Sequence, residues 1–306
     1  MRTDRIQLWD HDEHVSLHTY LMDVSAEFNS GRKRPAVIVC PGGAYLFTSD
    51  REAEQVAVRF AAQGYHAFVL RYTTRFRSRE EFGVAVQPDA PQPDGDADFP
   101  EPLYDLAKAM LIIRQNAEEW FVDPDRIAVC GFSAGGHLAA SLGVHWNGEL
   151  LRNQFKVDGE LFKPNTMILA YAPTDFTIQE EGETTGTGVA YNKLRDLARS
   201  AMFGTAEASL EQLKEHSVVH LVSADTPPAF IWHTADDRIV DVRHALAFST
   251  ALAQHRVPFE LHVFESGPHG LSLCDESTAS DSSQINPDCR AWVDLAMRWL
   301  RRQFGT

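Results

Sequence analysis

Ile127-Ala128-Val129-Cys130, followed at once by Gly131-Phe132-Ser133-Ala134-Gly135-Gly136, is the stretch on which the reading of this chain turns. Four apolar residues ending at a glycine read as a short strand covered on both faces. Leu138, Ala139, Ala140 and Leu142 just beyond it read as a helix built from small residues. A serine on so sharp a strand-to-helix turn is held in strained backbone geometry, and its neighbours on both sides have to be small. GxSxG also arises by chance, and the competing reading is a glycine-rich turn whose serine only caps the helix. The strand before and the helix after favour a reactive serine.

Working outward from that turn, short apolar runs alternate with longer helical patterns. Strands are predicted at 36–40, 67–72, 127–130, 166–171, 229–233 and 259–264, several of them apolar throughout. Ser49 and Glu52 have the spacing of a capping box before a helix at 54–63, and Gly64 stands where a left-handed residue closes one. Leu103, Leu106, Ala107, Met110, Ile113, Ala117 and Trp120 share one helical face, and 242–255 and 290–304 follow the last two strands as helices. Residues 6–9 and 14–21 read as an antiparallel hairpin at a sheet edge. The expectation is one α/β domain over residues 1–306, three-layered, with a mostly parallel central sheet and an N-terminal antiparallel edge hairpin. Two segments break the rhythm as insertions: 73–102, with five prolines from Pro88 to Pro102, and the polar, Gly/Thr-rich 176–190. Long connections of this kind in a compact domain are often lids or binding loops.

A serine hydroxyl is a poor nucleophile at neutral pH; it needs a base to take its proton and a group to hold that base in one tautomer. After the strand at 229–233 comes Thr234-Ala235-Asp236-Asp237-Arg238, two adjacent carboxylates at a strand end. Asp237 is the preferred orienter and Asp236 its rival, with a turn-forming aspartate as the plain reading of either. After the strand at 259–264 comes Gly267-Pro268-His269-Gly270, where an imidazole sits on an irregular loop with little steric cover. His269 is the predicted base; His262 lies inside a strand, and His137 one turn into the helix after Ser133 reads as structural. Acyl transfer also needs amide donors aimed at the developing oxyanion. Gly43 and Ala44, on the turn Pro41-Gly42-Gly43-Ala44-Tyr45 after the first apolar strand, are predicted to supply them together with Ala134.

Composition removes other classes of function. Asp and Glu number 43 against 28 Lys and Arg, a net charge of −15, which suits neither nucleic-acid phosphates nor anionic lipid. Eight carboxylates and no Lys or Arg fall between Glu80 and Asp105, read as a solvated loop. The polar N-terminal text lacks the apolar stretch of a signal peptide, and no later run reaches the ~18 apolar residues of a membrane span. A cytoplasmic protein is the expectation. Cys40, Cys130, Cys274 and Cys289 form no CxxC pair, so buried free thiols are expected rather than disulfides or zinc. His11, Asp12, Glu13 and His14 match no metal site of stated geometry and read as exposed polar text. No GxGxxG or P-loop follows a strand, so no nucleotide cofactor is indicated.

Pro41-Gly42-Gly43-Ala44-Tyr45, Gly131 to His137, His233 to Asp237 and Gly267 to Gly270 together resemble the acetyl-esterase and lipase-like branch of the α/β-hydrolase superfamily, acetylxylan-esterase-like carbohydrate esterases among them. The likeness runs from about residue 35 to the C-terminus. It implies a Ser133–Asp237–His269 triad and no metal or cofactor. It also implies Tyr45 at the substrate and a preference for short acyl groups, often acetyl. The implied partner is a small-molecule or oligosaccharide ester, and a homo-oligomer is compatible with it. In place of the HGGG of hormone-sensitive-lipase-like relatives, this chain has Pro41 for the His and Ala44 for the third Gly; Ala44 still carries an amide. A peptidase or amidase on the same triad, and a non-catalytic binding protein, are the rival readings.

Overall fold

The computed structural model of the chain describes residues 1–25, 27, 31–86, 98–178 and 191–305. Among these, eight strands form one sheet: β1 (Arg2–Trp9), β2 (Asp12–Leu21), β3 (Arg34–Cys40), β4 (His66–Arg71), β5 (Val122–Phe132), β6 (Thr166–Ala170), β7 (Ala229–Thr234) and β8 (Phe259–Phe264). Their order is β1-β2-β4-β3-β5-β6-β7-β8. β2 pairs antiparallel with β1 and with β4, and from β4 to β8 every pairing is parallel. All six expected strands are present, and the expected hairpin forms one edge of the sheet.

Alternate side chains of the central strands enter two different apolar layers, as a strand's two-residue period requires. In β3, Ala36, Ile38 and Cys40 join one layer and Val37 and Val39 the other. In β5, Ile127 and Val129 face the first layer, and Ala128, Cys130 and Phe132 the second. Leu106 and Met110 from helix Glu101–Gln115, Leu138 and Leu142 from helix Ala134–His145, and Phe248 from helix Arg243–Gln254 cover the first layer. Val56 and Phe60 from helix Glu54–Ala61, with Trp292, Met297 and Leu300 from helix Trp292–Phe304, cover the second. The helices thus cover both faces of one mostly parallel sheet in three layers, and all four cysteines are buried and free within them.

Four local expectations are corrected. Ser49 makes no side-chain cap, and Glu52, instead of reaching back over the helix start, is turned into the protein. The helix expected to reach Trp120 ends at Gln115, and the last helix begins at Trp292 after a short 3-10 turn at Cys289–Ala291. Residues 73–86 are not all irregular: a helix Arg79–Ala85 stands there, capped by the Ser78 hydroxyl, which accepts from the Glu81 amide. Residues 87–97 of the first expected insertion and 179–190, most of the second, lie outside the described residues.

Nor is the acidic run wholly solvated. Asp105 is buried, and its carboxylate accepts the Trp9 indole N–H at 2.6 Å and the Thr73 amide at 2.7 Å, tying the edge hairpin to the body. Burial pushes its carboxyl up to about 6. Buried His66 on β4 accepts the Met22 amide at Nδ1, and burial, helped by the Arg34 charge, pushes it down to about 4. Among the described residues no helix is long and apolar enough to cross a membrane.

Because β3 and β5 to β8 run in parallel, their carboxyl ends share one rim of the sheet. The turns that follow β3, β5, β7 and β8 carry Gly43 and Ala44, Ser133, Asp237 and His269 in that order. In open α/β sheets this rim is where ligands bind.

Candidate active site

Ser133 follows the last residue of β5 and precedes the helix Ala134–His145 with φ 50° and ψ −120°, a left-handed conformation that costs a non-glycine residue about 1–3 kcal/mol. Its side chain makes no cap to that helix, which removes the capping reading. Two glycines make the turn feasible by close approach: a Cβ on Gly131 would lie 2.0 Å from the Gly135 carbonyl oxygen, and one on Gly135 would lie 2.0 Å from that of Cys40. The strain therefore serves to present the hydroxyl away from helix and sheet.

That hydroxyl meets His269. Ser133 Oγ lies 2.8 Å from His269 Nε2, and His269 Nδ1 lies 2.7 Å from Asp237 Oδ2. A carboxylate at Nδ1 makes that nitrogen the N–H donor and leaves the Nε2 lone pair facing the serine hydroxyl. The Asp237 side chain has no exposed surface. Its Oδ1 accepts the amides of Ile239 at 2.9 Å and Val240 at 3.0 Å, and His233 approaches Oδ2 at 3.3 Å. Burial alone would raise its carboxyl; the His269 charge and the hydrogen bonds from His233 and His269 outweigh burial and hold it well below the usual carboxylate range. It therefore stays ionised beside the imidazole at any working pH. Asp236 has a different task. It accepts the Ser266 hydroxyl and the Gly267 amide, both at 2.7 Å, and so anchors the loop that carries His269.

On the turn after β3, Ala44 and Tyr45 both have positive φ, at 58° and 60°, strain of the kind that clusters at ligand sites. Ala44, Tyr45, Ser133 and Ala134 line one cavity of about 1200 Å³; Gly43 is not part of its wall. The Tyr45 hydroxyl is spent inside the protein, 2.8 Å from His137 Nδ1, so the ring is what Tyr45 can offer a bound molecule. His137 is buried and structural, as expected: its Nε2 lies 2.9 Å from the His216 carbonyl oxygen, the tautomer that lets Nδ1 accept from Tyr45. Burial pushes it down to about 3.

These shifts imply acid sensitivity. Folded His137 and His66 refuse protons that the unfolded chain binds below about 6.5, so each removes about 1.4 kcal/mol of stability per pH unit on the way down. Asp105 works in the opposite direction between about 6 and 3.8, because folded Asp105 takes up its proton first. From these three groups the expected loss between pH 6 and pH 4 is about 1.4 kcal/mol per unit, seen as a falling urea midpoint, and the lowered His145 and His18 act in the same direction. A midpoint unchanged from pH 7 to pH 4.5 would contradict the burial of these two imidazoles as neutral groups.

Two parts of the site escape a reading of the sequence. The helix Tyr191–Phe203 forms one cavity wall with Leu194, Ala198 and Met202, and Arg195 and Arg199 beside them. Its four-residue spacing was visible, but which face meets the serine is a tertiary fact. The other is the pair Glu52 and Tyr171, bonded hydroxyl to carboxylate at 2.6 Å beneath the site. Burial and then the Glu52 charge raise the Tyr171 hydroxyl well above its ordinary value, so it remains a donor.

Known proteins share this architecture. A family profile described as BD-FAE matches residues 91–252, a span holding Ser133 and Asp237. Endo-1,4-beta-xylanase B of Butyrivibrio fibrisolvens is 31% identical over 81% of this chain and 34% of its own length. An acetylxylan esterase of Xylanibacter ruminicola is 25% identical over 80% of this chain and 42% of its own. This chain thus spans between about a third and two fifths of the length of these two curated relatives. The crystal structure of an acetyl ester-xyloside bifunctional hydrolase from Caldicellulosiruptor lactoaceticus superposes with a TM-score of 0.73 at 30% identity, covering 99% of this chain and 97% of that one. With a matching profile over half its residues and a 30%-identical structure over nearly all of them, the chain belongs to the BD-FAE family of α/β-hydrolases.

Proposed function

We propose that this chain is a carboxylic ester hydrolase that cleaves short-chain esters, acetyl foremost, from sugars or xylo-oligosaccharides. The observation that carries the reading is the unbroken chain of short contacts from Ser133 Oγ through His269 to the buried Asp237 carboxylate, at the edge of a cavity open to substrate. A substrate carbonyl placed over Ser133 meets a hydroxyl whose proton has a ready acceptor in Nε2. Attack forms the bond from Oγ to the carbonyl carbon, and the proton passes to His269, whose positive charge Asp237 balances. The amides of Ala134, Ala44 and Gly43 are the proposed donors to the oxyanion. Return of the proton from His269 to the alcohol oxygen releases the alcohol and leaves an acyl-serine. Water, deprotonated by the same imidazole, then cleaves the acyl-serine and restores the hydroxyl. The likeness to an acetylxylan esterase and to an acetyl ester-xyloside hydrolase supports acetyl as the acyl group. No step calls for a metal or cofactor.

The test is a chain-length series of aryl esters run beside acetylated xylo-oligosaccharides and the anilide of the same acyl group. Acetate and propionate esters are expected to give the highest kcat/KM, with acetate released from the acetylated sugars. Anilide turnover equal to that of the matching ester would contradict an esterase, and a maximum at long acyl chains would contradict the acetyl assignment.

A further inference from the structure

Glu52 stands outside the chemistry described so far, yet its place is unusual for a glutamate. Only 4% of it is exposed, and a carboxylate so far from water requires hydrogen-bond partners. Its two oxygens receive theirs from opposite sides of the active site. Oε2 accepts the Gly42 amide at 2.8 Å, and Oε1 accepts the Tyr171 hydroxyl at 2.6 Å. The Tyr171 oxygen in turn accepts the amide of Ser272 at 2.9 Å, on the loop that carries His269. The Tyr171 ring also stands edge-on to the His269 imidazole, 5.0 Å between centroids.

Gly42 opens the turn that holds Gly43 and Ala44, and it presses on the nucleophile itself. A Cβ added there would come within 2.6 Å of Glu52 Oε2 and 3.0 Å of Ser133 Cβ. One carboxylate is thus bonded to the oxyanion turn and, through one hydroxyl, to the base loop. The turn that bears Glu52 is fastened to the same loop a second time: the Ser272 hydroxyl donates to the Arg51 carbonyl at 2.6 Å, and Arg51 Nε donates to the Thr278 carbonyl at 2.5 Å.

We propose that Glu52 is a positioning residue: its carboxylate sets the oxyanion turn and the His269 loop in register with Ser133. The inference rests on the reading of this site as an ester hydrolase. Two hydrogen bonds at fixed angles to one buried carboxyl group define the plane of the peptide at Gly42 and the tilt of the Tyr171 ring. Displacements of about 1 Å in such groups cost about 100-fold in rate, because oxyanion donors and base have to be in place before charge develops. Substrate affinity does not depend on that alignment to the same degree.

The variant that separates positioning from packing is Glu52→Gln, which keeps the volume but turns one acceptor into a donor, so that Gly42 or Tyr171 faces an NH₂ group. On an acetate aryl ester its kcat is expected to fall about 10- to 100-fold with KM within about twofold, normalised to folded protein. Tyr171→Phe, which cuts only the link to the base loop, is expected to lose about 3- to 10-fold in kcat. The two losses are expected not to multiply in the double variant, because both break one network. A merely structural glutamate would lower thermal stability and leave kcat per folded molecule unchanged. An active wild type with kcat within twofold in folded Glu52→Gln overturns the proposal, and where that variant does not fold, an unchanged kcat in Tyr171→Phe does so. A wild type without ester hydrolysis overturns the reading of the site and the positioning role with it.

Discussion

Ser133→Ala is expected to lower kcat on short-chain esters by about 10⁴- to 10⁶-fold while leaving the fold and its thermal midpoint nearly unchanged. The size of the loss follows from removing the atom proposed to form the covalent bond; what would remain is the effect of oxyanion donors on attack by water. The small change in stability follows from geometry. The hydroxyl does not cap the helix it precedes, and the backbone at φ 50° is as strained for alanine as for serine. Only the contact to His269 Nε2 at 2.8 Å is lost on folding. Turnover of an aryl acetate and a thermal melt check both halves. A purified variant that retains more than a tenth of wild-type turnover would show that another group performs the attack.

Asp237→Asn is expected to lower kcat by about 10⁴-fold. An amide in place of the carboxylate can present its NH₂ to His269 Nδ1, which then becomes the acceptor, and the proton moves to Nε2, where it faces Ser133 and blocks proton uptake. Asn also removes the charge that balances the imidazolium, from a site with no exposed surface to compensate. The amides of Ile239 and Val240 still find an oxygen, so the turn itself is expected to survive. Asp236→Asn is the internal comparison. Asp236 holds Ser266 and Gly267 rather than the imidazole, so its loss acts through the loop and is expected to cost no more than about 10-fold. Equal losses at the two positions would remove the distinction between orienter and loop anchor.

What could be read from the sequence follows from how local each signal is. Strands β3, β6 and β7 and the last part of β5 were legible because strands buried on both faces are largely apolar, a property of consecutive residues. The elbow was legible because a Cβ at Gly131 or Gly135 would lie 2.0 Å from a backbone oxygen, so both positions require glycine, and the requirement is written beside Ser133 itself. His269 and Asp237 were legible through their places after strands. Asp237, preferred over Asp236 in the sequence, is the one that faces the imidazole, although two aspartates on one turn look alike in composition and which of them turns to His269 depends on how β7 and β8 are set side by side. Glu52 was misread for a related reason. Its spacing from Ser49 is that of a capping box, and nothing nearby in the chain reveals that Gly42 and Tyr171 wait for its carboxylate. Asp105 likewise sits in an acidic run that reads as solvated, yet its partner Trp9 is 96 residues away along the chain.

The identity of the nucleophile is tested most directly by covalent capture. The intact protein is treated with a fluorophosphonate, its mass is measured, and the modified peptide is sequenced. One adduct per chain is expected, on Ser133 and on no other residue, formed far more slowly in Asp237→Asn and not at all in Ser133→Ala. An unmodified chain, or an adduct carried by a different serine in the folded protein, would contradict Ser133 as the attacking group.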